Sequence, residues 1–275
     1  MDDRLIQLVD TTLRDGEQTA GVIFSAQAKR NIALALDQAG VPWIEAGTPA
    51  MGEEEQEDMR FVLAAPYQAK LFAWNRAVEE DIRSSLACGF SFMHISVPIS
   101  DLHIKQKLGK NRDWVLRQLR KTVALARSFG CEVSVGAEDA SRADSEFFLR
   151  VADTAEKLGA QRIRYADTVG SLEPLTAFKV MQDLVARCPL PIEFHGHNDF
   201  GLATANTLAA FRAGVPFGST TILGLGERAG NANMEQVVKA LGKFFGATYG
   251  VDIDALENLN TLVTSASGRP DFKVT

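Results

Sequence analysis

The sequence predicts an α/β protein, a TIM (β/α)8 barrel with a short C-terminal helical extension. Eight short apolar or β-branched runs recur along the 275 residues, and segments with apolar residues at helical spacing lie between them. Eight such units in about 250 residues match the size of a closed parallel barrel. An open doubly wound sheet would carry a glycine-rich dinucleotide turn after its first strand, and no such turn follows Asp10. The segment "GLGERAGNAN" does not fit that fingerprint and follows the last strand instead.

Taken in order, the first strand is expected over Leu5 to Asp10, ahead of the polar turn "TTLRDGEQT". The second, Val41 to Ala46, brings Glu45 to its end, and the third, Lys70 to Trp74, is followed by Asn75 and Arg76. The fourth, Phe92 to Val97, carries Ser96 near its end. The fifth, Cys131 to Ala137, leads into Glu138 and Asp139. The sixth, Arg162 to Ala166, leads into Asp167 and Thr168, and the seventh, Pro191 to His195, into His197. The eighth is expected over Ser219 to Leu223, before "GLGERAGN". Two of the intervening helices are plain from their periodicity, "DWVLRQLRKTVALARSFG" and "SEFFLRVADTAEKLGA", the latter ending near Gly159 as a helix C-terminus should. The barrel is therefore assigned to residues 1–250 and a helical tail to residues 251–275. Within the tail, Val251 to Ser267 reads as a helix whose apolar face needs a surface to cover it.

Composition narrows the function. With 46% hydrophobic and 23% charged residues, the chain has an ordinary globular make-up. A net charge of -6 without any block of Lys or Arg argues against nucleic acid or anionic membrane as the main partner. No basic leader and no run long enough to span a bilayer are present, so the expectation is a cytoplasmic protein acting on small molecules. Cys88, Cys131 and Cys188 stand far apart and are odd in number, which suits buried, reduced thiols.

A barrel places its chemistry at the C-terminal ends of its strands, where polar residues collect in this chain. His195 and His197 share one strand face, with Gly196 leaving room between them, so the two imidazoles can grip one ion. Asp15, after the first strand, would add a carboxylate and complete three protein ligands. Hydrogen-bonded strand-end histidines are the plainer alternative. Asn231 is either an oxygen ligand nearby or a helix N-cap. Arg14 offers a fixed fork of donors to a carboxylate or a developing enolate, or else a salt bridge to Glu45 or Asp15. Glu45 and Glu138 end apolar strands and suit acid or base work, or structural pairing. Thr168, in "DTVGS", offers a hydroxyl and backbone amides to a carboxylate, or simply starts a helix.

The motifs "LVDTTLRDGEQT", "WIEAGTPA", "YADTVGSLEP", "FHGHNDFGLATAN" and "GLGERAGNAN" occur in this order, and together they resemble the acyl-CoA-condensing barrels called DRE-TIM metallolyases. The match runs from about Leu5 to Gly250. Within the family, "VGAEDASR" and "HISVPISDLHIKQKLGK" are most like the homocitrate synthases of the nitrogen-fixation type, with the isopropylmalate synthases as neighbours. The family's lyase branch carries a cysteine in the loop after the last strand, and "GLGERAGN" has none, which favours a synthase.

The resemblance implies metal ligands at Asp15, His195 and His197, with Asn231 at or near the ion. Arg14 would polarise the 2-oxo group, Gln18 and Thr168 would hold the 2-oxo acid's carboxylate, and Glu45 would order the site. Asn75, His94, Ser96 and Arg142 would line the rest of the pocket, and Glu138 would assist proton transfer. At Asn75 the lysine-pathway homocitrate synthases carry a histidine, so this position departs from them. The implied reaction joins acetyl-CoA to 2-oxoglutarate, with a divalent metal (magnesium, manganese, zinc, cobalt or iron) as Lewis acid, in a homodimer serving nitrogen fixation or amino-acid biosynthesis. Family members of this kind continue into a small helical subdomain whose histidine serves as base in the partner subunit, whereas this sequence ends at "SGRPDFKVT" with four histidines in all. An active chain of this length would use Glu138 or His94 as base; the alternatives are an isopropylmalate or citramalate synthase with a different 2-oxo acid, or a truncated barrel that binds metal and 2-oxo acid without turnover.

Overall fold

In the computed structural model, which describes residues 6–246 and 249–268, eight strands close on themselves in the order β1 to β8. They are β1 (Gln7–Asp10), β2 (Trp43–Gly47), β3 (Lys70–Arg76), β4 (Phe92–Pro98), β5 (Glu132–Glu138), β6 (Ile163–Asp167), β7 (Ile192–Gly196) and β8 (Phe217–Thr220). Every neighbouring pair is parallel, including β8 with β1, so the ring has no edge. The helices are α1 (Ala26–Gln38), α2 (Glu53–Leu63), α3 (Glu79–Cys88), α4 (Arg112–Ser128), α5 (Ser145–Lys157), α6 (Pro174–Arg187), α7 (Ala203–Arg212), α8 (Met234–Phe245) and α9 (Ile253–Ala266). The expected barrel is thus the observed one. Leu5, expected to open the first strand, and residues 269–275 of the expected tail lie outside the described residues.

The expected eighth strand is displaced. It runs over Phe217–Thr220 rather than Ser219 to Leu223, because the chain turns at Thr221 into a short 3-10 helix, Ile222–Gly224, in which Leu223 takes a left-handed φ of 60°. The β-branched run through Ile222 imitates a strand, but pairing with β1 stops at Thr220.

The helices start and stop where local chemistry directs. Asn111, Asp144 and Asn233 accept amide hydrogens as N-caps of α4, α5 and α8. Gly159, φ 82°, follows α5 as the periodicity predicts. Apolar faces of the helices pack on the outward faces of the strands, where Val133, Val135, Phe147, Val151 and Ile163 are fully buried. The tail helix α9 finds its covering surface on the barrel. Leu256, Leu259 and Val263 bury against the cluster that includes α1, and the Asp252 amide donates to Ala39 O at 2.9 Å. Each such side chain contributes roughly 1.5–3 kcal/mol of burial.

Inside the ring the packing changes with depth. At the base Val9, Phe72 and Phe92 form a small apolar layer joined by Trp43 and Phe217. Above it, inward positions turn polar and charged: Glu45, His94, Arg164, Glu193 and His195 are all buried.

Candidate active site

The first loop is folded back over the barrel by its own side chains. Thr12 donates both its amide (2.9 Å) and its hydroxyl (2.8 Å) to Asp10, and the Asp15 amide reaches Thr11 O at 2.9 Å. Burial drives the Asp10 carboxyl up to about 7, against the pull of those Thr12 bonds. Lys29 ties the back of the loop down, its ammonium lying among Glu17, Glu55 and Asp58. Arg14 and Asp15 are thereby aimed at the barrel axis.

There Asp15, His195 and His197 converge, with their donor atoms all within 4.8 Å of one another. His195 Nε2 is 3.1 Å from Asp15 Oδ2 and 3.3 Å from His197 Nε2, and all three side chains are buried. Two imidazole nitrogens facing each other and one carboxylate oxygen form a lone-pair cluster suited to a cation. Burial and the neighbouring His195 push His197 down to about 4, against the attraction of Asp15, so its ring is neutral and able to coordinate. Burial opposes the charge on Asp15, but Arg14 and the His195 contacts outweigh it and hold the carboxyl well below its ordinary range. Asn231 lies alongside, bridged by its backbone to His197, with Nδ2 donating to Leu225 O at 2.9 Å. Its Oδ1 is buried and has no partner among the described residues, as an atom near a cation would be. The glycine-rich loop has to be bare here: a Cβ at Gly226 would stand 2.1 Å from Asn231 Nδ2 and 3.1 Å from Asp15 Oδ1. The residues present therefore fit a divalent metal.

A chain of ion pairs runs from this cluster into the barrel. Arg14 pairs with Glu45 and lies 3.2 Å from Asp15; Glu45 pairs in turn with Arg164. Arg164 Nε donates to Glu193 at 2.6 Å, and Glu193 accepts also from Arg162 at 2.7 Å and from the Ser219 hydroxyl at 2.7 Å. Burial alone would raise Glu45, but Arg14 and Arg164 bring it to about 2, and the same balance with Arg164 and Arg162 depresses Glu193. Arg162 ends the chain inside an aromatic cage, its guanidinium 4.3 Å from the Trp43 ring and 5.1–5.3 Å from Phe72, Phe92 and Phe217.

A cavity of about 390 Å³ opens over the cluster, a size that suits a small ligand. Of the residues expected at the site, Arg14, Asp15, Gln18, His94, Ser96, Glu138, Thr168, His195 and His197 line it. Thr168 Oγ1 accepts from the Asp139 amide at 2.8 Å, leaving its own hydrogen to donate. Glu138 sits at the rim between Lys107 Nζ (2.9 Å) and His103 Nδ1 (3.2 Å). His94 is held neutral, first by burial and then by Arg164.

Two expected pocket residues lie elsewhere. Asn75 faces out toward α3, accepting from the Ser85 hydroxyl at 2.6 Å and donating to Ala73 O and His94 O. Strand parity is the reason, since it presents Trp74 to the cavity instead. Arg142 is engaged with Asp139 at 2.8 and 2.9 Å and with His103 at 3.3 Å, so it stands behind the rim.

Sequence reading also missed residues. Arg164, which lines the cavity, and Glu193 beneath it were legible as charges at the inward parity of β6 and β7. His103 and Lys107 had no such signal, because a π-helical turn, His103–Lys107, carries them back over the mouth. Arg228, φ 55°, ties three loops together through Asp199 (2.8 and 2.9 Å) and Thr168 O (2.7 Å). Together with Asp139 (φ 61°) after β5 and Leu223 in its own loop after β8, it puts left-handed non-glycine backbone in two loops at this end of the barrel.

Comparison with known proteins places this geometry. The HMGL-like family model matches residues 5–263. The homocitrate synthase of Frankia alni is 48% identical over 268 residues, 98% of this chain and 76% of that protein. The 2-isopropylmalate synthase 2 of Caldanaerobacter subterraneus subsp. tengcongensis is 45% identical over 268 residues, 98% of this chain and 70% of that protein. The HMG-CoA lyase of Bacillus subtilis superposes with a TM-score of 0.86 at 18% identity, covering 97% of this chain and 95% of its own, a likeness of fold.

Proposed function

The chain belongs to the HMGL-like family, the DRE-TIM metallolyases, and from that premise we propose that it joins acetyl-CoA and 2-oxoglutarate, with water, to give homocitrate and free CoA. The observation that carries the reading is the buried Asp15–His195–His197 cluster beside Arg14 at the barrel mouth. Its likeness to a homocitrate synthase at 48% identity supports the choice of substrates.

A divalent cation held by Asp15, His195 and His197, with Asn231 Oδ1 alongside, supplies Lewis-acid polarisation of the 2-oxo group when bound. Arg14, fixed by Glu45, directs its remaining guanidinium donors at the negative charge that develops on the same oxygen. Thr168 and Gln18 hold the 2-oxo acid's carboxylate. Glu138, at the rim, takes a proton from the acetyl methyl group. The resulting enolate carbon then attacks the ketone carbon, and the ketone oxygen becomes a hydroxyl by taking up a proton. Water cleaves the thioester C–S bond, releasing CoA as a thiol and leaving a carboxylate.

Purified protein given acetyl-CoA, a divalent metal and a panel of 2-oxo acids should release free thiol, fastest with 2-oxoglutarate. The 45% identity to a 2-isopropylmalate synthase favours a second reading, in which 2-oxoisovalerate leads the panel. No thiol release with any member would sink both and leave a binding barrel without turnover.

A further inference from the structure

Three of the four histidines are expected at the site from the sequence; the fourth, His103, reaches it from the loop after β4. That loop winds into the π-helical turn His103–Lys107, a form that recurs at functional sites. Ser100 pins its start, accepting from the His103 amide at 3.1 Å while its hydroxyl donates to Asp139. The turn brings two donors onto one carboxylate oxygen: Glu138 Oε1 lies 3.2 Å from His103 Nδ1 and 2.9 Å from Lys107 Nζ. All three residues line the cavity. Lys107 is 59% exposed, so water and salt screen its pair, whereas His103 (22%) and Glu138 (23%) are sheltered together.

Arg142 decides where the imidazole carries its hydrogen. A guanidinium can only donate, so Arg142 Nη2, 3.3 Å from His103 Nε2, makes that nitrogen the acceptor. The ring hydrogen is then on Nδ1, directed at Glu138 Oε1. Asp139, fully buried, holds Arg142 in turn, accepting from Nε at 2.8 Å and from the second hydrogen of Nη2 at 2.9 Å. Asp139 Oδ2 itself is 3.6 Å from His103 Nε2, beyond hydrogen-bond reach, and does not compete for the ring. Asp139, Arg142, His103 and Glu138 therefore form one directed chain. Both contacts to Glu138 fall on Oε1, and none among the described residues falls on Oε2.

We propose that His103 is a positioning residue for proton removal: its Nδ1–H, fixed by Arg142, holds Glu138 Oε1 and leaves Oε2 as the oxygen that takes the proton. This rests on the reading above, in which Glu138 is the base. In that step the methyl C–H bond breaks and its electron pair stays with carbon as the enolate. The proton goes to Oε2, and His103 keeps its own hydrogen throughout.

Two measurements test the role of His103. Long-range proton–nitrogen NMR of the histidine rings in the purified protein should show the His103 hydrogen on Nδ1; its signal is the one missing from His103→Asn. In metal-dependent thiol release, His103→Ala should lower kcat by roughly 10²-fold, the scale of a misplaced catalytic group, with the KM for 2-oxoglutarate unchanged. His103→Asn, whose amide nitrogen stands where Nδ1 stood, should recover most of that loss; His103→Gln, which reaches toward the Nε2 position, should not. A thermal melt confirms that each variant is folded. A ring hydrogen on Nε2, or equal loss in the Ala and Asn variants, would overturn the positioning role alone, provided Glu138→Gln still abolishes turnover. Undiminished turnover in Glu138→Gln, or no thiol release from the unaltered protein, would overturn the base reading and the role of His103 with it.

Discussion

Arg162 at the base of the barrel and the His195–His197 pair at its mouth are both buried polar groups on inward strand positions, yet their surroundings differ in kind. Around Arg162 the protein supplies the counterpart: Glu193 at 2.7 Å and four aromatic rings within 5.3 Å. Glu193 in turn is met by Arg162, Arg164 and Ser219. At the mouth, two imidazole nitrogens and a carboxylate are left facing one another, and Asn231 Oδ1 and His94 Nε2 have no partner among the described residues. Arg162 Nη2 also has no hydrogen-bond partner among the described residues, but the four rings around that guanidinium stand in for one, so the base is organised for folding and the mouth for a ligand from outside.

The sharpest way to break that contrast is to truncate one residue from each end. His197→Ala should lower metal-dependent thiol release by roughly 10³-fold, the scale of losing a preorganised electrostatic group, with little change in the urea midpoint. A melting transition that collapses instead would place His197 with the base. Glu193→Ala should do the converse. It strands Arg162 and Arg164 without their shared carboxylate, and removing one partner of a buried pair costs roughly 3–5 kcal/mol, to be read from urea denaturation. Undiminished stability would show that the aromatic cage suffices by itself.

A smaller effect separates two buried carboxylates, Glu45 and Asp10, by pH. Glu45, depressed to about 2, stabilises the fold above its ordinary range, and that contribution is lost as pH falls from about 4.5 through 2. Asp10, raised from 3.8 to about 7, has the opposite sign. Folding favours its protonated form, so stability declines as pH rises through that window. Asp10→Asn removes the decline, and its melting temperature relative to the unaltered protein should be more favourable at pH 8 than at pH 4. An equal offset at both values would mean that Asp10 is ionised throughout.

Much of this was legible beforehand. The eight-strand count, the ends of α5 and the cluster of Asp15, His195 and His197 all follow from periodicity and from the rule that a barrel keeps its polar groups at the strand ends. The errors are local. The resemblance puts Asn75 in the pocket, but the third strand continues to Arg76 and parity turns Asn75 outward. The eighth strand was drawn too late because Thr220, Thr221 and Ile222 are good strand formers even where a left-handed Leu223 ends the pairing.

What sequence alone determined is the order of elements and, through the two-residue period of each strand, which side chains face inward. Which inward groups meet was decided by closure of the barrel. Arg164 and Glu45 are 119 residues apart and touch only because β2 and β6 share one interior. No spacing along the chain distinguishes the carboxylate that a guanidinium will satisfy from the imidazole it will leave waiting. That assignment depends on the stagger between strands, which sets the depth of each side chain in the ring.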